Sequence, residues 1–245
     1  MTNLLEARDI WFSYDGRNYI IKGISMTIGS GRMYMIFGRS GVGKTTLLKL
    51  FKGILKPVRG EIRYKERTII NNAQVRRDSY SAIGYIPQGF GVINNLTVLD
   101  NVIVGALSRV STLSSLIGRF PEHEVKKAEE ILRMLKIHDL CYTKVSRISG
   151  GQRQRVAIAR ALMQNPEIIL ADEFISQLDP VTSLEVLNDF KRLAEQRKIG
   201  VVITTHDIQL APSYADEVLV MRGGEIVFRA VHGMIDERDL VSAMR

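Results

Sequence analysis

The chain has 245 residues, 45% of them apolar, which favours one sizeable core with an inserted subdomain. No apolar run approaches the roughly 18 residues of a membrane-spanning helix, and the first residues do not read as a secretory signal, so we expect a cytoplasmic chain. The only cysteine, Cys141, excludes an intrachain disulfide and is predicted to be an inert, packed thiol. A net charge of +8 favours an anionic partner, which leaves nucleotide, nucleic acid and an anionic membrane surface open.

Alternating and continuous apolar runs predict strands separated by glycine and proline turns, with helical periodicity concentrated between residues 97 and 163. The predicted strands lie at residues 4–14, 19–28, 33–37, 61–64, 68–70, 82–86, 167–172, 200–205, 217–221 and 225–228. The predicted helices lie at residues 47–51, 101–107, 122–136, 150–163, 180–196 and 207–214. Residues 108–120 are expected to be a loop, and a short amphipathic tail ends the chain.

Residues 38–46, GRSGVGKTT, match G-x-x-x-x-G-K-[ST] between a predicted strand and a predicted helix. Glycines let the backbone N–H groups turn inward, and the start of a helix adds partial positive charge, so this loop is predicted to hold polyphosphate. Lys44 would reach the β- and γ-phosphates, and the Thr45 hydroxyl would coordinate Mg²⁺. The residues predicted to contact nucleotide here are Gly38, Arg39, Ser40, Gly41, Gly43, Lys44, Thr45 and Thr46.

Two carboxylates follow the apolar run 168–171, at the end of a strand predicted to be buried. In open α/β sheets ligands lie at this end of the strands. Asp172 is therefore the natural Mg²⁺ ligand, and Glu173 is the natural base or orienter of an attacking water. His206 ends another predicted buried strand, where its imidazole could bond a γ-phosphate or merely cap the strand. Tyr14 ends the first predicted strand, where the chain turns toward the second. Its ring could stack on adenine or pack on its neighbour.

Residues 148–155, ISGGQRQR, place a serine and two glycines at a predicted helix start, which makes a second anion-binding surface. With this motif the chain resembles the ATP-binding cassette (ABC) ATPases, whose signature sequence is LSGGQ. The resemblance covers essentially the whole chain, because several motifs occur in the order typical of the family. They are Tyr14 as A-loop aromatic, residues 38–46 as Walker A, Gln88 as Q-loop, residues 149–152 as signature, Asp172 and Glu173 as Walker B, residues 176–179 as D-loop and His206 as switch histidine.

The resemblance implies an α/β fold with a P-loop NTPase core of mostly parallel sheet and helices, an antiparallel β subdomain and an inserted helical signature subdomain. The whole chain would be one ABC ATPase domain, with its core at residues 1–88 and 164–245 and its helical subdomain at residues 89–163.

The resemblance also implies a head-to-tail dimer that sandwiches two ATP molecules, each between Walker A of one copy and the signature of the other. The implied catalytic residues are Glu173, His206 and Gln88, and the implied Mg²⁺ ligands are Thr45, Gln88 and Asp172. Further implied nucleotide contacts are Tyr14, Ser149, Gly150, Gly151, Gln152 and Asp179.

Three positions depart from the family pattern. Ile148 replaces the leucine of the signature, Gln177 stands where a small residue is usual, and Phe174 stands where proline usually follows the catalytic glutamate. Phenylalanine leaves that loop freer than proline would. The sequence therefore predicts that Phe174→Pro is tolerated and changes hydrolysis by a modest factor.

Two functional classes fit this family: the ATPase subunit of a membrane transporter, or an ABC protein without a permease that acts on ribosomes or nucleic acid. We favour transport, because the chain carries neither a second cassette nor an aromatic-interleaved basic stretch, and no nucleic acid is expected. The resemblance implies permease subunits that contact residues 89–96, indirectly a solute-binding protein, and a location at the inner face of the membrane. The helical block looks like that of phosphonate, phosphite and hypophosphite importers, although importers of amino acids or phosphate share most of these residues.

Overall fold

The computed structural model describes residues 2–69, 79–110, 120–175 and 179–244. Within these ranges the strands are β1 (Asn3–Ser13), β2 (Tyr19–Gly29), β3 (Met33–Phe37), β4 (Arg59–Tyr64), β5 (Arg67–Thr68), β6 (Ile83–Ile86), β7 (Ile168–Ala171), β8 (Gly200–Thr205), β9 (Glu217–Arg222) and β10 (Glu225–Val231). They form a four-stranded antiparallel sheet, in the order β2-β1-β4-β5, and a six-stranded sheet, in the order β10-β9-β3-β8-β7-β6. The larger sheet is parallel except for its edge strand β10, which confirms the predicted fold class.

The centre of the larger sheet is buried on both faces, and every residue of β3, β7 and β8 is buried. Such strands read as continuous apolar runs because both of their faces are covered. Their carboxyl ends meet at one edge of the sheet, where Gly38 follows β3, Asp172 follows β7 and His206 follows β8. The parallel arrangement thus gathers three of the predicted motifs at the edge where ligands bind in such folds.

The helices follow the predicted pattern. Described helices are α1 (Lys44–Lys52), α2 (Val98–Ile103), α3 (Glu122–Met134), α4 (Gly150–Met163), α5 (Pro180–Arg197), α6 (Ala211–Tyr214) and α7 (Glu237–Met244). Helices α2, α3 and α4 form a cluster in which each contacts the other two. Cys141 is buried beside this cluster, and burial raises the pKa of its thiol, as expected of an inert cysteine. The division of the chain at residues 89 and 163 stays a prediction.

Several predicted boundaries were wrong for identifiable reasons. Helix α2 begins three residues before Asn101, because Thr97 and Asp100 form a capping box, and a 3₁₀ turn replaces its predicted last residues. The predicted helix at residues 207–214 is a 3₁₀ turn followed by the short α6, because Pro212 lacks the N–H that a continuous helix would need. The strand predicted at residues 68–70 is instead the two-residue β5, which begins one residue earlier and ends at Thr68. Residue 70 and residues 111–119 of the predicted loop lie outside the described residues.

Candidate nucleotide and catalytic site

The glycine loop lies between β3 and α1, as the motif predicts. Gly43 caps the start of α1 with a φ of 110°, a conformation that residues with a side chain rarely adopt. A Cβ placed on Gly38 would lie 2.6 Å from the carbonyl oxygen of Met221, so this position also excludes larger residues. A cavity of about 410 Å³ borders the loop, and its lining includes Tyr19, Ile20 and Ser40.

Lys44 points back into the loop instead of outward to solvent. Its side chain is 4% exposed, and its ammonium group donates to the carbonyls of Gly38 at 2.7 Å and Arg39 at 3.3 Å. The same nitrogen lies 3.3 Å from a carboxylate oxygen of Glu173. An ion pair between Lys44 and Glu173 therefore connects the glycine loop to the segment that follows Ala171. Thr45 and Thr46 follow Lys44 in the first turn of α1.

The two acidic residues have different surroundings. Asp172 is buried, and its carboxylate accepts hydrogen bonds from the hydroxyls of Thr204, at 2.8 Å, and Tyr85, at 3.4 Å. Burial, together with the charge of Asp172, raises the pKa of Tyr85 above its usual range, so this hydroxyl remains a donor. Glu173 has a φ of 42° and accepts a hydrogen bond from the Gln88 amide at 2.8 Å. Left-handed backbone at a non-glycine residue is costly and concentrates at functional sites.

The donor set predicted for Mg²⁺ consists of a threonine hydroxyl, a glutamine amide oxygen and a carboxylate. These are hard oxygen ligands of the kind that Mg²⁺ accepts, and Mg²⁺ usually combines one or two such ligands with substrate phosphates. In the described part of the chain, no group of three or more His, Cys, Asp and Glu side chains could hold a metal ion. Thr45, Gln88 and Asp172 thus fit a metal that arrives with a nucleotide.

Ser149 lies at the exposed start of α4. Its hydroxyl accepts a hydrogen bond from the N–H of Gln152, and the Gln152 side-chain oxygen accepts one from the N–H of Ser149. Gly150 is open on its outer side, whereas a Cβ on Gly151 would lie 2.5 Å from Thr182 of α5. The motif therefore combines an accessible helix start with a tight contact between α4 and α5. Helix starts of this kind attract anions.

Three further predicted residues lie at exposed positions. Tyr14 is 61% exposed, with its ring edge-on to Phe12 at 4.8 Å, and His206 is exposed directly after β8. Asp179 caps α5, and its bonds with the hydroxyl and N–H of Thr182 hold the pKa of its carboxyl below the usual range. Residues 176–178 of the D-loop lie outside the described residues.

Phe174 corrects an expectation from the sequence. Its side chain is fully buried, with ring centroids 6.0 Å from Phe90 and 5.5 Å from Phe190, both in edge-on geometry. Its carbonyl also accepts a hydrogen bond from the buried amide of Gln154 in α4. The residue is an aromatic anchor that joins the segment after β6 to α5. It does not leave a freer loop.

We therefore expect Phe174→Pro to be poorly tolerated. Removing a fully buried phenylalanine costs about 3–5 kcal/mol of unfolding free energy, and proline also fixes φ. Denaturant unfolding of Phe174→Pro and Phe174→Ala measures this loss, with Phe228→Ala as a half-buried control of smaller effect. An unfolding free energy for Phe174→Pro within about 1 kcal/mol of the unmodified chain would contradict the anchoring role.

Together the glycine loop, the buried acidic strand end and the parallel sheet define a P-loop nucleotide-hydrolysing protein. The family model for the ABC transporter domain matches residues 21–176, and the chain belongs to the ABC transporter family. Proteins of this family are ATPases whose hydrolysis is coupled to transport, so the chain binds ATP and is such an ATPase.

Related proteins cover nearly the whole chain. The phosphonates import ATP-binding protein PhnC 2 of Oceanobacillus iheyensis is 35% identical and aligns with 95% of this chain and 92% of its own. PhnC of Lactobacillus acidophilus is 36% identical, over 92% of this chain and 88% of its own. Among solved structures, the ADP conformation of MJ1267, an ATP-binding cassette of an ABC transporter, superposes with a TM-score of 0.86 at 29% identity, over 99% of this chain and 96% of that one. The dimeric structure of MJ0796, a bacterial ABC transporter cassette, superposes with a TM-score of 0.80 at 30% identity, over 93% of this chain and 98% of that one.

Proposed function

We propose that the chain is the ATP-hydrolysing subunit of an importer for phosphonates or for a reduced phosphorus oxyanion such as phosphite or hypophosphite. The observation that carries this proposal is the series of phosphonate import ATP-binding proteins that are 32–36% identical over most of the chain. An importer of another polar solute, an amino acid or phosphate, is the alternative. The ATPase chemistry below is the same for either cargo.

In this proposal the glycine loop holds the phosphates of ATP, and Lys44 leaves the Gly38 and Arg39 carbonyls to bond the β- and γ-phosphates. Thr45, Gln88 and Asp172 would hold Mg²⁺, which neutralises the charge that develops on the phosphates. Because Lys44 contacts Glu173 in the structure, a phosphate that draws Lys44 away also releases this carboxylate. Glu173 can then polarise the attacking water, oriented through its bond with Gln88.

The rest of the nucleotide site comes from exposed residues. Tyr14 would stack on the adenine, and His206 would bond the γ-phosphate from the end of β8. The exposed helix start at Ser149 would face the nucleotide of a second copy, together with Gly150, Gly151 and Gln152. Support for the paired arrangement comes from the dimeric cassette MJ0796 among the structural relatives. Asp179, which caps α5 close to the signature, would lie at the dimer seam.

The proposed permease surface lies between the core and the helical cluster. A cleft of about 850 Å³ there has a lining that includes Tyr80, Val104 and Arg109. Segment 89–96, the second part of the proposed surface, is held firmly, because Arg160 donates to the carbonyls of Phe90 and Gly91 and the buried Asn101 bonds both backbone groups of Ile93. A rigid segment suits a docked permease helix.

None of the described helices is long and apolar enough to span a bilayer. We place the chain as a peripheral subunit on the inner face of the membrane, held there by its permease, with a solute-binding protein acting on the other face. Affinity purification from a membrane extract tests the partner class. Recovery of an integral membrane protein supports this placement, whereas recovery of RNA or ribosomes would contradict it.

The cargo prediction is tested by ATP hydrolysis of the complex reconstituted with its permease and solute-binding protein. We expect the rate to rise when the binding protein is loaded with a phosphonate, phosphite or hypophosphite. Phosphate and a polar amino acid are the control solutes. Stimulation only by an unrelated solute such as the amino acid would end the cargo proposal and leave the ATPase assignment intact.

A further inference from the structure

We propose that Thr204, in β8, is a positioning residue that holds both acidic residues of the site through one hydroxyl group. Its oxygen accepts a hydrogen bond from the backbone N–H of Glu173 at 2.8 Å, and the hydroxyl donates to a carboxylate oxygen of Asp172, also at 2.8 Å. The inference rests on the proposed roles of Asp172 and Glu173 in ATP hydrolysis.

The strand register explains why Thr204 reaches both residues. The last residue of β7, Ala171, pairs with Ile203 of β8, so Thr204 lies beside the point where the chain leaves the sheet toward Asp172 and Glu173. Thr204 is fully buried, like Val201 and Val202 of the same strand. A β-branched residue suits this position whether or not it has a hydroxyl, so the polar atom is the feature that calls for an explanation.

A hydroxyl group has one hydrogen to donate and two lone pairs to accept with, and both capacities are used here on consecutive residues. On one side the bond fixes the carboxylate of Asp172, a buried polar group whose burial would be costly without a hydrogen-bond donor. On the other side it holds the backbone of Glu173 in its left-handed conformation, with a φ of 42°. Thr204 therefore controls the distance and angle between the predicted metal ligand and the predicted base.

Loss of this hydroxyl should lower catalysis more than it lowers ATP binding. Without Thr204 to accept its N–H, Glu173 can relax from the left-handed conformation, and its carboxylate moves relative to Gln88. A misplacement of about 1 Å costs up to about a hundredfold in rate. The glycine loop has no contact with Thr204 among the hydrogen bonds of the described residues, so ATP affinity should change little.

The test uses variants matched in size. Thr204→Val keeps the branched shape and removes the hydroxyl, whereas Thr204→Ser and Thr204→Ala both lose the methyl group and differ only in the hydroxyl. We expect kcat to fall about tenfold to a hundredfold in Thr204→Val and Thr204→Ala, with the Kd for ATP within about twofold, and Thr204→Ser to recover most of the rate. Thr27→Val in β2, a strand of the other sheet, controls for threonine-to-valine exchange in a strand.

Two results would overturn the proposal. One is a kcat for Thr204→Val within about twofold of the unmodified chain. The other is a Thr204→Ser variant as slow as Thr204→Ala, which would show that the methyl group matters and the hydroxyl does not. Failure of the proposed roles of Asp172 and Glu173 looks different, because then Glu173→Gln would hydrolyse ATP at a rate near that of the unmodified chain. If Thr204→Val does not fold, the serine and alanine pair still decides between these outcomes.

Discussion

Glu173→Gln should abolish turnover while ATP still binds and holds two copies together. The amide has nearly the same shape as the carboxylate but cannot take a proton from water, and loss of a general base typically costs about 10²–10⁴-fold in rate. The substitution also removes the ion-pair partner of Lys44, whose ammonium lies 3.3 Å from the Glu173 carboxylate. Lys44 is then more readily available to phosphate, so ATP affinity should be retained or increased.

Three measurements check this result: ATP hydrolysis, the Kd for ATP and the elution volume in size exclusion with and without ATP. We expect a dimer that forms with ATP and persists because the nucleotide is not hydrolysed. Glu195→Gln, at an exposed position of α5, is the matched control and should behave like the unmodified chain. A Glu173→Gln variant with weakened ATP binding and no dimer would contradict the assigned role.

Ser149→Arg should give the second large effect, loss of hydrolysis with normal ATP binding by the isolated chain. The hydroxyl lies at the exposed start of α4, and the adjacent Gly150 leaves open space for a ligand. A guanidinium side chain would fill this surface and prevent close approach of the nucleotide bound to the second copy. We expect Kd for ATP within about twofold of the unmodified chain, and cooperative hydrolysis reduced to background.

A control must separate this effect from loss of the helix cap, which by itself costs about 1 kcal/mol. Thr97 forms the same type of capping box at the start of a different helix, α2. Thr97→Ala and Ser149→Ala should therefore lose similar stability in denaturant unfolding. If Thr97→Ala also removed hydrolysis by the isolated chain, the loss in Ser149→Arg would reflect helix stability and not the nucleotide surface.

Much of the fold follows from local sequence patterns. The glycine loop, the buried acidic strand and the helix that begins after Ser149 are each specified by neighbouring residues, since glycine conformations, apolar continuity and capping act over a few positions. The predicted helix boundaries were wrong where a local rule was overlooked. The capping box of Thr97 and Asp100 and the missing N–H of Pro212 were both readable in the sequence.

The contacts inside the site depend on tertiary structure and could not be predicted. The pairing of Lys44 with Glu173 joins residues 129 positions apart in the sequence, and the Thr204 hydroxyl reaches Asp172 only through the register of β7 and β8. A threonine in an apolar run reads simply as a strand residue. Phe174 gave a wrong prediction for the same reason, because its ring packs against Phe90 and Phe190 on other elements.

A nucleotide site built from two copies of this chain is the central prediction, and mixing two inactive variants tests it most directly. Lys44→Ala removes the phosphate contact and Ser149→Arg removes the signature surface, so each variant alone should be inactive. A mixed dimer regains one complete site, from the glycine loop of the Ser149→Arg copy and the signature of the Lys44→Ala copy. Random pairing of equal amounts should restore about a quarter of the hydrolysis rate of the unmodified chain. A mixture that stays inactive, although both variants fold and pair, would contradict the composite site.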